Sequence, residues 1–182
     1  SVWAQQQIAQ EPYGDKFALL PPSSFHMTVM ELLCDEVRQA DHWSSHLPLD
    51  VTLEETDEYF IQTVAQVSPP DNFRMTCSHL ALGNVGLSLT LQPADDATAH
   101  ALADYRDRIA TVTGVRHPDH ETYVFHLSLA YRIICLNDEE ELQLQNLAER
   151  IQPQLQERFG ILNTGKPILT FFDDMFAFYP VG

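Results

Sequence analysis

Two short apolar runs, Phe25-His26-Met27-Thr28-Val29 and Phe125-His126-Leu127-Ser128-Leu129-Ala130-Tyr131, constrain this chain more than any other stretch. Each is led by Phe and interrupted by a histidine, with a hydroxyl residue two positions on. Side chains of a β-strand alternate between faces, so His26 and Thr28 share one face while Phe25, Met27 and Val29 take the other. The second run divides the same way, with His126 and Ser128 opposite Phe125, Leu127, Leu129 and Tyr131. The two histidines stand 100 residues apart, one in each half of a 182-residue chain.

The bare pattern is weak. Of eight histidines, His42 and His120 also have Ser or Thr at the second following position. Their flanks, Asp-His-Trp-Ser-Ser-His and His-Pro-Asp-His-Glu-Thr, are polar and loop-like. Only His26 and His126 lie in apolar, alternating runs. Either alone reads best as a satisfied buried histidine; the matched pair reads better as function.

This pair resembles the 2H phosphoesterase superfamily, whose members carry two His-x-Ser/Thr motifs on strands flanking one cleft. Cyclic nucleotide phosphodiesterases, 2′–5′ RNA ligase-like proteins and tRNA-processing enzymes belong to it. The resemblance implies an α+β fold of two pseudo-symmetric lobes, each of mostly antiparallel sheet with helices outside, around a central groove between the motif strands. It also implies metal-independent hydrolysis of a cyclic or 2′–5′-type phosphodiester, with no cofactor. One imidazole activates water and the other protonates the departing ribose oxygen, which suits a side chain that ordinarily titrates near ~6.5. By analogy His26 is the acid and His126 the base. Thr28 and Ser128 would donate to the non-bridging oxygens, where charge builds in the transition state.

Three further residues are candidates for substrate binding. The resemblance places an aromatic after the second motif, here Tyr131, near the base-binding end, although alternation along an unbroken strand puts Tyr131 on the core face with Phe125. Arg132 shares parity with His126 and Ser128 and is the cationic candidate at the mouth of the groove. Lys16 is the cation nearest the first motif and a candidate for phosphate binding, but the reading as an ordinary surface lysine is preferred. A nucleotide-binding module without turnover would use the same four groups and is the alternative function. A small sheet protein with coincidental pairs is the third reading.

A net charge of −16, with ten Lys and Arg against 26 acids, argues for a small nucleotide or RNA-end substrate and against duplex DNA. No apolar run approaches the roughly 20 residues that span a bilayer, and no secretory-type start is visible. Cys34, Cys77 and Cys135 are odd in number and widely spaced, which suggests reduced, partly buried thiols. A cytoplasmic monomer of one domain is expected, with residues 1–14 as an N-terminal arm or short helix.

The remaining order is mostly β with three helices. Lys16–Leu20 reads as a strand stopped by Pro21-Pro22, and 24–33 as the first motif strand. The loop from Cys34 to Pro48 holds Trp43 as an anchor. Thr52-Leu53-Glu54-Glu55 is a capping box opening a helix to about Val67. Strands over 73–83 and 85–92 meet around Gly83-Asn84. In the first of these His79 reads as structural, with a place lining the cleft as the other reading. A helix then runs from Asp95-Asp96 to about Val112, with Arg106 and Arg108 on a solvated face. His117, His120 and Glu121 could suggest a metal site, but the loop reading is preferred. The second motif strand covers 123–134. A third helix follows from Asn137 to Gly160, kinked at Pro153, and two strands around Asp173-Asp174 finish the chain.

Overall fold

The hydroxyl of Thr52 accepts the Glu55 amide at 3.3 Å and the Glu55 carboxylate accepts the Thr52 amide at 3.2 Å. This reciprocal cap satisfies two donors that a helix end leaves orphaned and opens α2 (Leu53–Val64). Asn137 and Glu140 repeat it on α4 (Asp138–Phe159), which runs through Pro153. Asp95 caps α3 (Asp96–Thr113), and Gly114, at φ 71°, supplies the left-handed residue that ends it. These three helices match the sequence reading.

A computed structural model describes residues 1–174 and 177–181. The fold is α+β with four helices. The fourth, α1 (Val2–Ala9), is the short helix of the two readings given for the N-terminal residues. Ala4 and Ile8 are fully buried, and Gln5 Nε2 donates to Leu20 O at 2.7 Å and Leu129 O at 2.8 Å. No helix among the described residues is long and apolar enough to cross a membrane.

Strands β1 (Phe17–Leu19), β2 (Arg74–Leu82), β3 (Gly86–Pro93), β4 (His126–Arg132) and β5 (Leu162–Asn163) form one antiparallel sheet in the order β1-β4-β3-β2-β5. A separate ribbon joins β6 (Thr170–Asp174) to β7 (Ala177–Pro180). Asp173 and Asp174 thus belong to a strand instead of the turn expected there; Met175 and Phe176, expected in the last strand, lie outside the described residues. One sheet face packs Leu87, Leu89, Leu91, Leu127 and Leu129 with Leu102 and Ile109 of α3 and Leu144, Leu147, Ile151 and Leu155 of α4. Each such leucine contributes about 1.5–3 kcal/mol by leaving water.

Two further expectations are corrected. Residues 25–34 are not a strand. Two of their carbonyls are met by side chains: Val29 O accepts Arg106 at 2.6 Å and Leu32 O accepts His117 at 2.8 Å. Phe25, Met27 and Val29 still pack against the core, as their alternation suggested. Of the free cysteines only Cys77 is buried; Cys34 and Cys135 are exposed. Trp43 is an anchor, 4% exposed, with Nε1 on Pro48 O at 3.1 Å.

Candidate functional site

The sheet face away from α3 and α4 carries His126 and Ser128, and two bulges decide which residues reach it. On β4, Ser128 pairs with Ser88 and Ala130 with Leu87, so Leu129 is an extra residue. A bulge of this kind lets adjacent residues fall on one side and inverts parity beyond it. Leu129 and Ala130 are both buried on the helix side, which turns Tyr131, paired with Gly86, toward the face of His126 and Ser128. A Cβ on Gly86 would collide with Ala130 O, so this close approach needs glycine. Gln5 satisfies the carbonyl of the extra residue.

The same bulge reverses two readings made from an unbroken strand. Tyr131 leaves the core face; it is half-buried, and burial raises its phenol above the ordinary value. Arg132 goes to the helix side, where it ion-pairs with Glu141 of α4 and lies 5.7 Å from the Phe17 ring centre. It is not a cation at the mouth of a groove. On β2, Ser78 is the extra residue between the pairs Cys77–Leu91 and His79–Thr90. This brings His79 into a row with Thr90 and, through the Thr90–His126 pair, with the second motif.

The two motif histidines are anchored alike. His26 Nδ1 bonds Ser24 O at 2.8 Å, and His126 Nδ1 bonds Val124 O at 3.1 Å, the carbonyl two residues upstream in each case. A carbonyl only accepts, so Nδ1 carries the proton and, in the neutral ring, Nε2 bears the lone pair. Both rings are half-buried, as are Thr28 and Ser128. Among the described residues neither hydroxyl is engaged by another protein group, which leaves both able to donate to a ligand.

Arg106, expected on a solvated face, is 5% exposed. Its guanidinium donates to Val29 O at 2.6 Å and His120 O at 2.7 Å, and lies 4.7 Å from the Tyr123 ring centre and 5.6 Å from that of Phe125. It therefore ties the first motif segment to the residues leading into the second. Burial lowers its pKa from the ordinary arginine value. The signal was present in the sequence: Arg106 falls at helical spacing within the buried row of Leu102, Ile109 and Thr113.

Lys16 Nζ donates to Glu140 Oε2 at 2.7 Å, and this contact, ahead of the Asn137 amide, holds the Glu140 carboxyl below its usual range. Eight of the ten Lys and Arg side chains pair with carboxylates. Arg158 instead lies over Trp3, and Arg106 is bound to carbonyls. Ligand atoms of Asp107, His120 and Glu121 lie within 4.8 Å of one another. Arg116 bonds both of those carboxylates, so a guanidinium already stands as their counter-charge. In contrast, β2, β3 and β4 contain no Asp or Glu. In a chain with 26 acids, the face bearing His126 is free of strand carboxylates.

A family model described as 2H-phosphodiest, domain of unknown function (DUF1868), matches residues 2–86. That span includes His26 and Thr28 and points to a phosphodiesterase-type family; the second motif lies beyond it. No curated protein matches the chain. Among solved structures, a conserved protein of unknown function from Agrobacterium tumefaciens strain C58 is similar, with a TM-score of 0.85 and 26% identity over 99% of this chain and 76% of that one.

Proposed function

We propose that the protein is a hydrolase of the 2H phosphodiesterase type, acting on a cyclic or 2′–5′-type phosphodiester of a nucleotide or short RNA end. The observation that carries this reading is the matched anchoring of His26 and His126, each held through Nδ1 to its own upstream carbonyl, beside an unengaged Thr28 or Ser128 hydroxyl. The segment 24–33 is read as facing this side of the sheet across the groove.

In this mechanism His126 Nε2 takes a proton from water as the water oxygen bonds phosphorus. The phosphorus–ribose oxygen bond breaks on the opposite side, and protonated His26 gives its proton to that oxygen. Product release leaves the two protonation states exchanged, and proton exchange with solvent resets them. Thr28 and Ser128 donate to the non-bridging oxygens, where preorganised donors act most strongly on the transition state. The acid-free strands suit an anion: on this face positive charge is supplied by imidazolium.

The test is hydrolysis of 2′,3′-cyclic mononucleotides in EDTA. Wild type turns them over, and His26→Ala and His126→Ala each lose at least ~100-fold. Persistence of turnover in either variant would remove the two-histidine mechanism. Nucleotide binding without turnover would favour the module reading, for which the same four groups suffice.

A further inference from the structure

We propose that His79, with the hydroxyls of Ser78 and Thr90, forms a second anion subsite that takes a phosphate of the substrate beyond the scissile one. This rests on the reading of the His126 face as the phosphodiester site. His79 and His126 flank Thr90 in register, two strand spacings apart, on the order of 10 Å between backbones. One nucleotide with phosphates at both edges of its ribose can bridge that interval.

The chemistry of the cluster selects an anion. Both ring nitrogens of His79 have hydroxyl partners, Nδ1 with Ser78 Oγ at 3.1 Å and Nε2 with Thr90 Oγ1 at 3.3 Å. A hydroxyl can accept from an imidazolium N–H and turn its own proton outward, so Ser78 and Thr90 each offer a donor beside a ring that, when protonated, supplies the positive charge. The ring is exposed, so packing does not explain its place. It reaches this face because Ser78 is an extra residue; without that bulge, alternation from Cys77 would turn His79 toward the helices. The Ser78 carbonyl is fixed from that side by Gln152 Nε2 at 2.5 Å and Gln156 Nε2 at 2.8 Å. The strands around the cluster bring no carboxylate to repel a second phosphate.

The experiment compares adenosine 2′,3′-cyclic phosphate with and without a 5′-phosphate, on wild type and His79→Ala. One charge-assisted hydrogen bond corresponds to about a tenfold preference. Wild type is expected to favour the 5′-phosphorylated substrate by about that factor in kcat/KM, through KM. In His79→Ala the ratio falls to about one. Equal use of both substrates by wild type, or an unchanged ratio in His79→Ala, overturns the subsite and leaves the two-histidine reading standing. If wild type turns over neither, calorimetry with adenosine 2′,5′-bisphosphate and 2′-AMP reads the same ratio as binding. A His79-dependent preference there supports the subsite on a binding module, and no binding of either overturns both readings. Competition by inorganic phosphate as strong as that by the bisphosphate also overturns assignment to the substrate's own phosphate.

Discussion

Tyr13 illustrates how one buried group couples this fold to pH. It is 1% exposed, and its hydroxyl has no hydrogen-bond partner among the described residues. Burial first, and then the Glu11 carboxylate, push its pKa from 10.0 up to about 12. The folded protein holds the neutral phenol while the unfolded chain ionises near the ordinary value. The contribution is therefore fully present below pH ~10 and is lost as pH rises towards ~12. Urea unfolding of Tyr13→Phe should lack this alkaline component. At neutral pH the variant should match or exceed wild type by up to about 1 kcal/mol, since an unpartnered buried hydroxyl is removed. An alkaline loss equal to that of wild type would refute the assignment. Single residues were legible where local chemistry decides: the capping pair Thr52 and Glu55 and the anchor Trp43. The ion-pair partners of Lys16 and Arg132 were not: Glu140 lies 124 residues from Lys16, and Arg132 meets Glu141, 9 residues on, only because the β4 bulge turns it toward α4.

The elements are joined at the candidate site by α3. Arg106 supplies donors for two carbonyls, Val29 O and His120 O, and stacks against two aromatic rings. Arg106→Ala leaves those carbonyls unpaired and should cost about 3 kcal/mol in urea unfolding, since bonds from a charged donor contribute roughly 1.5–3 kcal/mol each. A loss below about 1 kcal/mol would mean that the link is not needed. Helices and the β2–β3 hairpin could be read from caps, periodicity and Gly83-Asn84. The bulges could not be placed from alternation, which assumes an unbroken ladder. Their trace is a break in period two: Cys77 and Leu80, or Leu129 and Ala130, are buried together although an even alternation would separate them. That break exchanged the expected positions of Tyr131 and Arg132. The first motif segment kept its apolar alternation without becoming a strand, and two of its carbonyls, Val29 O and Leu32 O, are met by Arg106 and His117.

Over the whole molecule, charge is distributed with a consequence for substrate choice. The chain carries −16, yet the three strands beneath the candidate site contain no acid, and most cations are committed to carboxylates elsewhere. On the proposed function, a phosphate at this face would be met by histidines and hydroxyls. The central claim is that His26 and His126, distant in sequence, act on one phosphate. It is tested most directly by nitrogen NMR of histidine-labelled protein titrated with 2′-AMP. The Nε2 resonances of His26 and His126 should move together along one saturation curve while that of exposed His100, on α3, stays still. Movement of only one of the pair, or two curves with different midpoints, would contradict a shared site.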